Sequence, residues 1–346
     1  MVKNKIIAIP LNGSAYTEAL YKDLALEGFS PIEGKWKFSW IKEHLDANGI
    51  VHIHWPSYLY TSDRGTLSTI GRWLKFIGLA FWISQNGRLW WTAHNLYPHE
   101  SKHHKFLDWA IRKITIRLGS TVFVHGDHAK ALIEHEFGKK ADKFVKIPHG
   151  HWIDHTPPCT SKQKSRAILN IPTTASVILF AGQCRPYKNI ELLIKSFNTI
   201  NNDNTLLIIA GKFNSKEYQN HIEKLASANS RIILKPHFIE SEEMALLYSA
   251  CDVSCAPYKE ILTSGSAMMS LSYGRPFVSI DRGFLREVIS AECGQLVSQL
   301  SEHDLSACLQ QALNTNWDES KIINHAKKFS FRIAARKMHE RARQGK

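Results

Sequence analysis

The chain has 346 residues, 44% of them hydrophobic and 22% charged, the composition of an ordinary globular protein without repeats or low-complexity tracts. That length exceeds one core of common size, so two domains are expected. The formal net charge of +13 points to polyanionic partners: nucleic acid, anionic lipid or a phosphorylated substrate.

The charge is uneven. The excess is larger over residues 1–165 than over 166–346, and the tail 327–346 sets eight basic residues against Glu340 alone. Six cysteines (Cys159, Cys184, Cys251, Cys255, Cys293 and Cys308) are scattered, and Lys3 and Lys5 lead straight into a strand pattern. No signal peptide is expected from this start, and the thiols read as reduced and cytoplasmic. Cys251 and Cys255 flank a strand, but no second pair follows at ligand spacing, so no metal site is expected there.

The first strand is Ile6–Ile9, followed by Asn12, Gly13 and Ser14 and a helical pattern from about Tyr16 to Glu27. Gly13 either admits a substrate to the backbone or only turns the chain. The next strand runs from Ile50 to His54. Its two histidines alternate, and His54, nearer the end, is the better site candidate. Over 66–86, Leu67, Ile70, Leu74, Ile77 and Phe81 recur at helical spacing. Trp73, Phe76, Phe81 and Trp82 crowd one apolar run of this helix, and Lys75 is its single charge. The run is too short for the ~20 residues that span a bilayer. It is either a core helix or an element of the membrane interface, helped by Lys102, Lys105, Arg112, Lys113 and Arg117 on the next helix.

Leu89–Ala93 is a strand, and its loop, which also carries Asn95, holds His94, His99 and Glu100, the densest acid–base group in the chain. Ser120–Val124 follows, leading to His125 and to Asp127 as a helix cap, with the helix ending near Gly138. After the strand Phe144–Ile147, the stretch 156–166 is rich in Pro, Ser and Thr without apolar period and reads as a linker.

The rest alternates strand and helix: strands near 177–181, 206–210, 232–234, 253–256 and 277–280, with helices near 189–200, 215–227, 241–250 and 264–273. Such alternation demands a mostly parallel sheet. Ligands of such sheets sit beyond the carboxyl ends of strands. Gly182 follows the first of these strands, and Arg185 and Lys188 after it can hold a diphosphate. Thr263, Ser264 and Gly265 offer hydroxyls and helix-opening N–H groups, which favour anions. A last helix pattern covers about 319–343. Neither a nucleotide P-loop nor an Asp-x-Asp pair occurs, so a metal-bound diphosphate is not signalled.

The order of these motifs resembles the GT-B glycosyltransferases, nearest to the family 4 group and related bacterial exopolysaccharide transferases. The resemblance is carried by His54-Trp-Pro, Thr92-Ala-His-Asn, Pro98-His-Glu, Ile147-Pro-His-Gly, Phe180-Ala-Gly with Arg185 and Lys188, Ala210-Gly211, Tyr258, Thr263-Ser-Gly, Ser272–Val278, and Asp281-Arg-Gly with Glu287. It implies an α/β fold of two facing Rossmann-like domains: an acceptor-binding domain over 1–155, a linker over 156–166 and a donor-binding domain over 167–318. A C-terminal helix over 319–346 would return to the first domain.

The resemblance also implies roles. Gly13, Gly182, Arg185, Lys188, Gly211, Tyr258, Thr263, Ser264, Gly265 and Glu287 would bind the donor sugar nucleotide, and His54 and Asn95 would lie on the acceptor side. Two cations would replace a metal beneath the departing nucleotide. One departure from the family pattern matters. Its usual pair of glutamates is absent: Ile261 and Met269 stand at those positions, with Glu260 one place off. This weakens a retaining mechanism and leaves room for inversion, with Glu100, His94 and His125 as candidates for the base.

The expected activity is metal-independent transfer of a hexose from a GDP- or UDP-sugar to a lipid-linked or membrane-proximal glycan, with no cofactor and no nucleic acid partner. The enzyme would be cytoplasmic and peripheral at the inner face of the plasma membrane. Trp73, Phe76, Phe81 and Trp82 would touch its anionic surface. A sugar-nucleotide epimerase of the same architecture and a non-catalytic polyanion binder are the alternatives.

Overall fold

In the computed structural model, residues 4–61, 66–98, 105–138 and 142–345 are described. The chain forms two compact units, residues 1–150 with 330–346, and residues 151–329.

The first unit is built on six parallel strands: β1 (Asn4–Ile9), β2 (Phe29–Glu33), β3 (Ile50–Ile53), β4 (Arg88–Thr92), β5 (Thr121–Val124) and β6 (Phe144–Lys146). Their order is β2-β1-β3-β4-β5-β6. β3, β4 and β5 are buried at every residue, as short apolar runs covered on both faces should be. β2 was not expected. Its Pro31 removes a ladder donor, which an edge strand tolerates and a central one does not.

The second unit repeats the plan with β7 (Ser176–Ala181), β8 (Thr205–Ala210), β9 (Ile232–Lys235), β10 (Val253–Cys255), β11 (Phe277–Ile280) and β12 (Gly294–Val297), in the order β12-β11-β10-β7-β8-β9. β12 is the other strand missed from the sequence, and it too lies at an edge. In each sheet the chain winds one way and then restarts on the far side of its first strand. The crevices of the two sheets therefore open at the carboxyl ends of β1 and β3, and of β7 and β10.

Three boundaries differ from expectation. The chain leaves the first unit at Gly150, ahead of the stretch 156–166, and the second part of that stretch is a helix, Lys162–Ile168. Ser161 caps it, and Arg166 is buried with its guanidinium on the Asp252 carboxylate at 2.8 Å. Second, the pattern over 319–343 is two helices, Glu319–Ala326 in the second unit and Phe331–Arg343 in the first. The break is at Ser330, whose extended backbone and hydroxyl, accepting from the Ile333 N–H at 3.0 Å, start a new helix. Third, Asp127 occupies the first helical position after Gly126, and its carboxylate pairs with Lys146 at 2.7 Å.

The last helix buries Phe331, Ala334, Ala335, Met338 and Ala342, one face at helical spacing. It packs on the helix Ala15–Leu26, and Arg332 and Arg336 both reach Glu27. Gly150, in the left-handed region at φ +84°, leaves room for the Phe331 ring, which a Cβ there would meet at 2.5 Å.

Candidate functional site

In the second unit, the loop after β7 and the start of the helix Gly265–Ser272 converge. Gly182 has φ +121°, and a Cβ there would lie 3.1 Å from the Lys188 Nζ and 3.2 Å from the Ser266 Oγ. Lys188 is buried, 5.5 Å from the centre of the Phe180 ring. Among the described residues no carboxylate or carbonyl bonds its ammonium. Burial lowers its pKa from 10.5 to about 8, and Arg185 adds to the lowering. A buried cation of this kind is set to receive an anion.

The other donor-side candidates divide. Arg185 is half-buried beside Gln183, its Nε donating at 3.0 Å. Ser264 is the helix cap: its Oγ accepts the Ala267 N–H at 3.0 Å and pairs with the Tyr258 hydroxyl at 2.9 Å. Tyr258 is buried and stacks on Tyr187. These two hydroxyls bind each other, so the hydroxyl nearest the Gly182 loop is that of Ser266, which donates to the Ala181 carbonyl at 3.1 Å. Ser266 lies one residue past the motif read from the sequence. Thr263 and Gly265 are half-buried on either side of the cap. Gly211, at φ +154°, is required by packing: a Cβ would lie 1.8 Å from the Gly182 carbonyl oxygen. Glu287 and Glu260 are exposed, on the helix Gly283–Val288 after β11 and on the loop after β10.

In the first unit, four adjacent strands each end in a buried histidine: His54 after β3, His94 after β4, His125 after β5 and His149 after β6. Their ring centroids step by 5.3, 5.4 and 5.2 Å, close to the spacing of neighbouring strands. His52 lies one step back within β3 and is buried too. Trp55 stacks on His94 at 4.6 Å. Burial, reinforced for four of the rings by neighbouring imidazoles, lowers all five pKa values: His52 and His125 to about 3, His149 to about 4, and His54 and His94 well below 6.5. The row is neutral, and burial makes each ring a weaker base than a free imidazole. Asn95 is half-buried after it, while His99 and Glu100 lie outside the described residues.

Gly13 is not an open phosphate cradle. Its N–H donates to the Glu18 carboxylate at 2.9 Å, and the N–H groups of Leu11 and Asn12 donate to Glu33 at 3.1 and 2.8 Å. Two carboxylates therefore occupy the donors that the sequence pattern assigned to a ligand. No sequence signal marked Glu18 or Glu33 for this, because the bonds span 5 and about 21 positions.

The aromatic helix Thr66–Asn86 corrects one expectation outright. Phe76 is fully buried, stacked on Trp36 at 5.0 Å, and cannot touch a membrane. Trp73 and Trp82 are half-buried. Among the described residues of this helix, the large apolar side chains open to solvent are Ile70 (44% exposed), Leu74 (58%) and Phe81 (55%). Among the described residues no helix is long and apolar enough to cross a membrane, and no group of three His, Cys, Asp or Glu side chains is arranged to hold a metal ion.

The sequence pattern of the family described as Glycosyl transferases group 1 matches residues 161–329, nearly the whole of the second unit. Sucrose-phosphate synthase from Thermosynechococcus elongatus superposes with a TM-score of 0.77 at 18% identity, over 99% of this chain and 98% of that one. Anabaena HepE in complex with UDP and glucose superposes with a TM-score of 0.69 at 15% identity, over 98% and 99%. The fold is that of the GT-B glycosyltransferases, and the second unit carries the sequence pattern of Glycosyl transferases group 1. Within that class the chain is similar to the GDP-mannose:glycolipid 4-beta-D-mannosyltransferase of Xanthomonas campestris pv. campestris, at 26% identity over 251 residues. That match covers 70% of this chain and 64% of the relative's length.

Proposed function

We propose that the protein transfers a hexose from a nucleoside diphosphate sugar to a lipid-linked glycan, with mannose from GDP-mannose as the first donor to try. The reading rests on one observation above the others: the Lys188 ammonium is buried beside Gly182 and Ser266 without a counter-charge. A diphosphate would supply that charge, and Lys188 with Arg185 would offset the negative charge growing on the leaving nucleotide. Metal independence is part of the proposal. The relative named for GDP-mannose and a glycolipid supports the donor and acceptor classes, and the bound UDP of the structural relative keeps a uridine donor in the test.

On the acceptor side, the neutral imidazoles after β4 and β5 suit a group that takes the proton of the attacking hydroxyl, with His94 the first choice. Asn95 would contact the acceptor, and Glu100 remains a candidate for the base; His54, expected on the acceptor side, is instead fully buried with its two ring nitrogens on Tyr21 and His94. The exposed face of Ile70, Leu74 and Phe81, next to the exposed Arg72 and Lys75, would hold the enzyme on an anionic membrane where a lipid-linked acceptor resides.

Thermal melting against GDP, UDP and ADP without added metal tests the donor reading. A nucleotide at ~100 times its dissociation constant adds about 2.7 kcal/mol of stability. GDP or UDP is expected to raise the melting temperature, and no shift with any of the three would remove the donor site from the second unit. Incubation with the sugar nucleotide alone separates transfer from epimerisation, since only an epimerase changes the sugar without an acceptor.

A further inference from the structure

Residues 35–42 read Lys-Trp-Lys-Phe-Ser-Trp-Ile-Lys, three cations set among three aromatic rings without an acidic residue. The stretch follows β2 and enters the short helix Phe38–His44, in which Ile41 is the side chain that packs inward. Lys35, Lys37, Phe38 and Lys42 are exposed. Phe38 leaves 49% of its surface in water, an apolar area that the first unit does not bury.

The stretch lies against the helix Thr66–Asn86. Trp36 stacks on Phe76 with ring centres 5.0 Å apart, and Phe38 meets Trp82 edge-on at 5.2 Å. Trp82 is seven residues after Lys75 and shares its side of the helix, about 100° round from Phe81. Phe38 therefore widens the exposed row of Ile70, Leu74 and Phe81 into a face two elements broad. The charges on this face are not those the sequence assigned to it. Arg112 is buried against Tyr60 at 2.8 Å and Asp108 at 3.8 Å, and the Lys113 ammonium sits 4.4 Å from the centre of the Trp109 ring. Arg72 donates to the Thr61 carbonyl at 2.7 Å. Lys35, Lys37 and Lys42 make no ion pair or side-chain hydrogen bond among the described residues.

We propose that residues 35–42 are the second half of the membrane-contact face, with Phe38 entering the interface beside Leu74 and Phe81 while Lys35, Lys37 and Lys42 meet anionic lipid headgroups. The inference rests on the docking reading above and moves the source of its charge from the helix Lys105–Leu118 to the stretch after β2. A soluble polyanion would satisfy the three ammonium groups and leave the apolar row in water. An anionic bilayer takes both, since it is negative at the headgroups and apolar just beneath them.

Flotation with phosphatidylcholine vesicles, with and without phosphatidylglycerol, tests this on three variants of the full chain. The first combines Lys35→Ala, Lys37→Ala and Lys42→Ala, and the second is Phe38→Ser. The control combines Lys216→Ala, Lys224→Ala and Lys321→Ala, which removes the same charge from exposed positions of the second unit. A lysine close to an anionic surface changes partitioning about 5-fold. The first variant is therefore expected to lower partitioning onto phosphatidylglycerol vesicles 10-fold or more, a deficit that high salt erases. Phe38→Ser should lower it severalfold at either salt concentration, and the control should stay within 2-fold of the wild type. Melting curves accompany each variant, and the first, which changes exposed side chains alone, decides the matter if Phe38→Ser melts early. Full recovery of both variants on vesicles that float the wild type overturns this inference and leaves the docking reading standing. An equal loss in the control overturns it too, because binding would then follow net charge rather than this face. A wild type that fails to float, even one retained by heparin as a soluble polyanion, ends the docking reading and this inference with it.

Discussion

A charge buried without a partner costs the folded state until its ligand arrives, and Lys188 is the residue where this can be measured. Its pKa is lowered from 10.5 to about 8 by burial. Between those two pH values the unfolded chain keeps a proton that the folded one has lost, so stability rises with pH across that window. At pH 7 the ammonium is charged and the full penalty, about 3 kcal/mol, is present. Lys188→Met is expected to raise the melting temperature of the ligand-free protein and to abolish the shift given by nucleotide. A variant that melts as the wild type and still responds to nucleotide would move the diphosphate elsewhere. Lys188 was legible because a cation shortly after a strand and a glycine is a local pattern. Ser266 and the pair of Glu18 and Glu33 were not. Ser264 has the better-placed cap position and so drew the assignment that the geometry favours for Ser266. The two glutamates reach the Gly13 loop only once β1, β2 and the first helix are assembled.

At the scale of the element, four successive strands present one histidine each at the same edge, and that has a consequence for acid stability. His52, His125 and His149 fall to about 3, 3 and 4, whereas the unfolded groups titrate near 6.5. Below pH 6.5 the unfolded chain binds protons that the folded chain refuses, so stability is lost as pH falls. Three such groups give a slope of about 4 kcal/mol per pH unit between roughly pH 6 and 4. His125→Phe removes a ring whose Nε2 is buried without a partner, and it should flatten the fall of melting temperature with acid. An unchanged slope would mean that the row is hydrated. The row was half legible: a histidine after each strand can be read from the sequence, but the strand order that makes them neighbours cannot. The helix Thr66–Asn86 shows the same limit. Its aromatic density is evident in the sequence, but which side faces inward depends on Trp36 covering Phe76 from another element. Leu74→Ser with Phe81→Ser is accordingly expected to lower recovery on anionic liposomes severalfold at unchanged melting temperature. Equal flotation of the wild type with and without anionic lipid would end the docking proposal.

For the whole molecule, the two-sheet plan was readable from alternation, while the break between the last two helices was not, because one helical period runs through both. Their separation depends on Ser330 as a cap and on Gly150 making room for Phe331. The consequence is that the helix Phe331–Arg343 belongs to the core of the first unit. Burying Phe331 and Met338 contributes about 1.5–3 kcal/mol each. The same helix offers the Ala342 carbonyl to the buried Arg88, at 2.7 Å, and sends Arg341 to the Thr121 hydroxyl, at 2.9 Å. Ending the chain at Phe329 removes all of this from the first unit and nothing from the sheet of the second. Of the ten tryptophans, only Trp152 and Trp317 lie outside the first unit, so tryptophan emission reports on that unit. The truncated chain is expected to lose its emission transition by 10 °C or more, or to lack it, while nucleotide still raises a calorimetric transition from the second unit. If the truncation instead abolishes the nucleotide response and spares the emission transition, the last helix serves the donor half, and the assignment of donor binding to residues 151–329 is wrong.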